Sequence, residues 1–157
     1  MLDYIAHTVN KLVVKYQTRN PYEICDALGI HVSLKDLDDK LKAYYCCHSR
    51  VRNIVLSHNV SEIDRRILVA HELGHDRLHK KIAPLVGFQE TGMFIKSLPT
   101  EYEANLFAAD LLIDDDELCS FLGDDDKTHS GVASELGVPI ELLDFKFRLM
   151  EHKGILR

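Results

Sequence analysis

No run of apolar residues in this sequence approaches the ~18–20 needed to cross a bilayer. Nor is there a basic excess to coat nucleic acid. The chain has 19 Lys and Arg against 25 Asp and Glu, a formal charge of -6, which argues against direct nucleic-acid binding as its main work. The first twenty residues, MLDYIAHTVNKLVVKYQTRN, lack a basic leader, an apolar block and a small-residue cleavage site, so no signal peptide is expected. Cysteine is sparse, and Cys25, Cys46, Cys47 and Cys119 show no C-x-x-C spacing. Cys46 and Cys47 are adjacent and would face opposite ways in a strand. Reduced thiols in a cytoplasmic protein are the expectation. Internal repeats, low-complexity tracts and long linkers are also missing, so the 157 residues are expected to fold as one domain with one core.

What the sequence does have in excess is histidine, nine in all. Three of them fall in LVAHELGHDRLHKK, residues 68–81, as His71, His75 and His79. The stretch reads as a helix of about 62–80 capped by Ser61, with Ile63, Ile67, Leu68 and Leu78 as apolar anchors. Residues four apart lie on one helix face about 6 Å apart, so His71 and His75 can reach one ion at ~2.0–2.1 Å. Glu72 lies one position round, placed to act as a base on water rather than as a ligand. This is the H-E-x-x-H arrangement of metal-dependent peptidases. Gly74, beside the second histidine, lets another backbone approach.

A catalytic zinc site needs a third protein ligand. His79 is a poor choice, because two helical turns, about 12 Å of rise, separate it from His71. The next helix, TEYEANLFAADLLI over 100–113, offers Glu101 and Glu103. Glu101 shares its face with Ala104, Asn105, Ala108 and Ala109, small residues that allow close helix packing. Glu103 completes a T-x-x-E capping box with Thr100, which gives it a structural use. Glu101 is therefore expected as the third ligand. Asn105 is placed to hydrogen-bond a ligating histidine and fix its tautomer. His79 and Glu103 remain candidates for a supporting or substrate-facing role.

Around these helices the pattern is mixed. Residues 3–17 have helical periodicity, and NPYEICDALG is a short helix with Asn20 as cap, Pro21 at its first position and Gly29 at its end. IHVSL (30–34), LKAYYCC (41–47) and RNIVLS (52–57) suit strands of a small antiparallel sheet. Segment 81–99 is irregular, with one short candidate strand, MFIKS, and is long enough to suggest a functional loop, one wall of a substrate groove. DDDELCSFLGDDDKTHS reads as acidic and broken near Gly123. GVASELGVPIELLDFKFRLM reads as two helices joined at LGVP. Glu141 and Asp144 stand where phosphates would approach, so this pair is expected to pack on the rest of the chain or dock a partner rather than enter a DNA groove.

VAHELGHDRLH paired with EYEANLFAADLL resembles the ImmA/IrrE family of zinc metallopeptidases. NPYEICDALGIHV, NIVLSHNVSEIDRRILVAHELGH and SELGVPIELLDFKFRLM follow that family's layout in order, over nearly the whole chain. The resemblance implies an α+β, zincin-like fold: a small, mainly antiparallel sheet on the H-E-x-x-H helix, a second helix with the glutamate ligand, and a helical C-terminal part. On this reading 1–60 hold the N-terminal helices and sheet, 61–113 the catalytic helices and 114–157 a helical subdomain. The resemblance also implies His71, His75 and Glu101 as ligands of one Zn2+ per chain, Glu72 as the catalytic base, and a helix-turn-helix transcriptional repressor as the protein substrate. Cleaving it would make the chain an antirepressor of mobile-element or stress genes. A non-catalytic antirepressor that merely grips the repressor is the competing expectation. Tyr102, His129 and the residues of 81–99 are the candidates for stabilising an oxyanion.

Overall fold

A computed structural model describes residues 1–80, 88–90, 98–122 and 127–156. Four of the described helices start where a side chain satisfies a free N–H group of the first turn. Helix α1 (Leu2–Tyr16) buries Ile5, Val9 and Leu12 and ends at Gln17 in the left-handed region. In α2 (Pro21–Ala27) the Asn20 side chain accepts from the Tyr22 N–H at 3.0 Å and Pro21 occupies the first turn. Gly29, at φ +68°, then turns the chain into β1 (Ile30–Lys35), a conformation that costs glycine least. Strands β2 (Ala43–His48) and β3 (Val51–Ser57) form a hairpin whose two loop residues, Ser49 and Arg50, both have positive φ. That geometry matches the twist of the strands.

The sheet order is β1-β3-β2-β4, with β4 at Phe88–Glu90. Strand β2 is antiparallel to both β3 and β4, so the sheet is mainly antiparallel as expected. Strand β1 alone runs parallel to its neighbour β3. The register aligns Val32, Ile54 and Tyr45 across three strands, on the face that packs against α3 (Glu62–Leu78). Ser61 caps α3, accepting from the Asp64 N–H at 3.2 Å. The candidate strand MFIKS (93–97) lies outside the described residues.

Helix α4 (Pro99–Leu112) packs closely along α3, and its Ala104, Leu106, Phe107, Ala108 and Leu111 are fully buried. Leu98 precedes it as cap without a side-chain hydrogen bond, and Pro99 opens the first turn. The expected Thr100–Glu103 capping box is therefore not formed, because the helix begins two residues too early for Thr100 to be its cap. The acidic DDDEL stretch is not merely a break. The Asp114 carboxylate accepts from the N–H groups of Asp116 and Glu117 and starts α5 (Asp115–Leu122), where carboxylates favour the positive end of a helix. Helices α6 (His129–Glu135) and α7 (Ile140–His152) follow, with Gly137 at φ +64° in the turn between them. Helix α7 buries Leu142, Leu143, Phe145, Leu149 and Met150, and packs mainly on α4. The C-terminal pair is thus committed to the core.

One buried ion cluster ties α4 to α7. Lys146 is fully buried and its Nζ lies 2.7 Å from Asp110 and 2.5 Å from Asp115. Lys153 adds contacts of 3.0 and 2.9 Å to the same two carboxylates. Burial of Asp115 opposes its charge, but hydrogen bonds from Lys146 and Lys153 outweigh that and hold its carboxyl below the usual range. Arg19 reaches in from the N-terminal side, donating to the Asp110 carbonyl at 2.9 Å and pairing with Asp114 at 2.6 Å.

Candidate metal centre

The i, i+4 spacing stacks His71, His75 and His79 along α3, and all three are buried. Helix α4 can come close enough to meet them because Gly74 faces it. A Cβ placed on Gly74 would lie 3.3 Å from the Ala104 Cα and 3.2 Å from the Phe107 Cδ1. This approach brings Glu101 against two rings. His71 Nε2 is 3.1 Å from Glu101 Oε2, His75 Nε2 is 3.4 Å from Glu101 Oε1, and the two Nε2 atoms are 3.1 Å apart. Four ligands placed tetrahedrally at ~2.0–2.1 Å from zinc are about 3.3 Å from one another. The three side chains therefore already have the spacing of a tetrahedral face.

The hydrogen bonds behind the rings decide what the facing atoms are. Asn105 Oδ1 lies 2.9 Å from His71 Nδ1. A carbonyl oxygen accepts, so His71 carries its proton on Nδ1 and presents a bare lone pair at Nε2. On the other side, His79 Nε2 lies 2.9 Å from Glu103 Oε2 and His79 Nδ1 lies 3.0 Å from His75 Nδ1. The Glu103 carboxylate takes the N–H of His79 Nε2, which leaves His79 Nδ1 as an acceptor for the N–H of His75 Nδ1. His75 then also presents a bare Nε2. Burial pushes the His75 imidazole down to about 4, with the neighbouring histidines adding to the effect and the Glu101 carboxylate opposing it. For Glu101 burial acts to raise the carboxyl, but the His71 and His75 rings beside it, which donate to it whenever an Nε2 carries a proton, prevail and hold it well below the carboxylate range. Two imidazole lone pairs and an anionic carboxylate thus converge on one point. Such a set fits a divalent cation, and two histidines with one carboxylate leave a position open for substrate. Among the described residues, His71, His75 and Glu101 form the one group of this kind.

Each residue singled out from the sequence has a definite place. Glu72 is fully buried on α3 beside His71. Asn105 backs His71, while His79 and Glu103 form a chain behind His75, one step out from the three converging side chains. Tyr102 turns to α7, its ring centroid 5.6 Å from that of Phe145 and its hydroxyl accepting from Arg148 at 3.4 Å. His129 packs against the Phe147 ring at 4.9 Å. Neither is brought to the histidine cluster by these contacts. The other oxyanion candidates in 81–97, and the groove wall expected there, lie outside the described residues.

A second polar group went unnoticed in the sequence. Asp76, directly after His75, is buried, accepts from the Tyr45 hydroxyl at 2.8 Å and from Arg52 at 3.2 Å to both oxygens, and is ion-paired with Arg77 at 3.1 Å. Arg52 also donates to the Leu28 carbonyl. The network fastens the C-terminal half of α3 to β2, β3 and the end of α2. Burial, with the Asp76 charge beside it, pushes Tyr45 well above the phenol range and Cys25 up to about 12, so that thiol stays protonated. The one available signal was Tyr45 at an inward-facing position of its strand, where a buried hydroxyl requires a partner.

Residues 25–148 match the model of a peptidase family described as the IrrE N-terminal-like domain. The chain is 33% identical over 142 residues to a Bacillus phage phi105 protein named Uncharacterized immunity region protein 2, covering 90% of this chain and 88% of the relative. It is 28% identical over 146 residues to Metallopeptidase ImmA of Bacillus subtilis (strain 168), covering 90% of this chain and 83% of the relative. No described helix is long and apolar enough to cross a membrane.

Proposed function

The chain belongs to the ImmA/IrrE family of peptidases, and on that footing we propose that it is a zinc-dependent, site-specific endopeptidase of the cytoplasm that cleaves a helix-turn-helix transcriptional repressor. The convergence of two imidazole lone pairs and the Glu101 carboxylate, spaced as a tetrahedral face, is the observation that carries the reading. The printed names of the two relatives, one a metallopeptidase and the other a protein of a phage immunity region, support the choice of a regulatory protein as substrate. Four cysteines without a disulfide suit a reducing compartment.

His71, His75 and Glu101 hold the ion. When bound, zinc supplies Lewis acidity at the scissile carbonyl and lowers the pKa of water toward ~7. The residues of the chain do the rest. Glu72, on the same turn as His71, takes the proton from the attacking water and delivers it to the leaving amine. Asn105 holds the His71 ring, and the His79–Glu103 pair holds the His75 ring, each fixing the tautomer that turns Nε2 inward. Among the described residues no fourth His, Cys, Asp or Glu joins this set, whereas a closed structural site would need one.

The test pairs Glu72→Gln with Glu101→Ala, each assayed for zinc by native mass spectrometry and for cleavage of the repressor by gel. Glu72→Gln is expected to keep one zinc and lose cleavage by at least ~100-fold. Glu101→Ala is expected to lose both. If derepression in cells persists with Glu72→Gln, the chain acts by gripping the repressor and the peptidase reading fails.

A further inference from the structure

A groove of about 700 Å³ opens at the N-terminal end of α3, away from the histidines, lined by Val32, Leu34, Ile63, Leu112 and Val138 among others. The metal ligands and the described ion clusters make no use of it. Ile63 precedes His71 by eight residues, about 12 Å along the helix, so the groove lies beyond the reach of the residues flanking a scissile bond. Large apolar side chains are exposed here together: Ile63 is 61% exposed, Leu34 40% and Tyr22 38%.

Three further features say what would cover them. First, β1 is the outermost strand on this side of the sheet, and among the described residues its outer edge pairs with no strand. A smaller cavity lined by Tyr22, Asp26, Ile30, His31 and Val32 continues the groove along the same strand. An open edge beside side-chain pockets is the arrangement that binds an extended peptide by adding it to the sheet. Secondly, Val32 and Leu34 lie on the same face of β1, which sets pockets for alternate side chains of such a peptide. Thirdly, Arg65 and Arg66 both line the groove, against Glu62 alone of opposite sign, in a chain of net charge -6. Arg65 spends one N–H on the His58 carbonyl at 2.8 Å, while its buried Nε meets no acceptor among the described residues. A buried donor left in that state is unusual.

We propose that this groove docks an extended segment of the protein substrate, which pairs as a strand with the outer edge of β1. Its alternate apolar side chains seat against Val32, Leu34 and Ile63, and its carboxylate lies on Arg65 and Arg66. The identity of the occupant as substrate rests on the peptidase reading above. Recognition at a second place, more than ten ångströms from the metal centre, gives a small peptidase selectivity that the residues around a scissile bond need not carry.

The test selects random twelve-residue peptides displayed on phage against the immobilised Glu72→Gln chain, then measures synthetic copies by fluorescence anisotropy with and without a zinc chelator. Enriched peptides are expected to alternate apolar residues and to carry Asp or Glu. They should bind with zinc removed, and bind at least tenfold more weakly to Ile63→Asp and to Arg66→Glu. Both side chains are exposed, so these variants keep the fold, which one bound zinc per chain in each verifies. In repressor cleavage the same two variants should raise KM with kcat unchanged. Peptides that bind both variants as well as the parent, or no enrichment at all, would overturn the proposal. So would a concentration-dependent dimer abolished by Ile63→Asp, which would make a second copy the occupant. Peptide binding without cleavage of any repressor would instead sink the peptidase reading and leave the groove as a binding site.

Discussion

Replacing His79 with Phe should weaken zinc binding although His79 is not itself one of the proposed ligands. The ring shape survives and the side chain remains in its buried pocket, but His75 Nδ1 loses the acceptor now 3.0 Å away. His79 is 6% exposed, so water cannot readily replace it. A buried donor left without an acceptor costs about 1–3 kcal/mol. The cost falls unevenly on the two states. Without zinc, His75 can move its proton to Nε2 and donate it to Glu101, 3.4 Å away. With zinc, Nε2 must stay bare, so the proton is forced onto Nδ1 and meets a phenyl ring. Nearly all of the penalty therefore appears as lost affinity, about 10–100-fold, with little change in the unfolding of the zinc-free protein. Glu103→Gln is the milder counterpart, since its amide oxygen still accepts from His79 Nε2, and its loss should stay below about tenfold. Competition against a chromophoric chelator measures both constants, and urea unfolding in chelator measures the other half of the argument. A His79→Phe protein that binds zinc within twofold of the parent would refute the chain from Glu103 through His79 to His75.

Three other outcomes follow from the packing and the charges. Gly74→Ala places a methyl 3.2–3.3 Å from Phe107 and the Ala104 backbone, so it should cost about 1–3 kcal/mol in urea unfolding and weaken zinc by pushing Glu101 away; unaltered affinity would show that the helix spacing is not set there. Lys146→Met strands the Asp110 carboxylate in the core with, among the described residues, only Lys153 at 3.0 Å to face it, and should destabilise by about 3 kcal/mol, restored in good part by adding Asp110→Leu. Zinc-free protein should lose stability as pH falls from about 6.5 toward 4, because His75 binds its proton more readily unfolded than folded, where its value is about 4; the His75 part of the loss is complete there, at up to about 3 kcal/mol, Glu101, held low when folded, adds to it at lower pH, and urea midpoints between pH 7 and pH 4 that do not fall would contradict the burial argument.

The parts of this molecule legible in its sequence are those governed by short-range rules. Histidines four apart share a helix face whatever surrounds the helix, and Asn20 and Ser61 cap because their oxygens reach N–H groups two or three residues on. Small residues at Gly74, Ala104 and Ala108 point to a close helix pair, and that pairing brings Glu101 against the His71 and His75 rings. Where two local rules competed, the sequence misled. Thr100 and Glu103 have the capping-box spacing, yet Pro99 starts α4 earlier and frees Glu103 for His79. Strand order was similarly out of reach. The parallel placement of β1 beside β3 and the three-residue β4 depend on contacts that no local pattern encodes.

The least legible groups are the buried charges, because Asp, Lys and Arg in a sequence ordinarily mean solvent. Asp76 and Lys146 break that expectation in matching ways. Asp76 fastens the half of α3 that carries His75 to the sheet through Tyr45 and Arg52. Lys146 fastens α4, the helix that carries Glu101, to α7 through Asp110. The metal centre is formed between those two helices, each tied by a buried ion pair on the side away from the other. Such pairs add little net stability over apolar residues of similar size. What they do constrain is position, since a buried carboxylate held by two or three polar partners has few places to go. A site in which a small displacement would separate Glu101 from two imidazoles needs that constraint. On this argument an apolar replacement of the whole Asp110–Lys146 pair should fold as well as the parent yet hold zinc less tightly, and equal affinity would show that hydrophobic packing alone sets the helix positions.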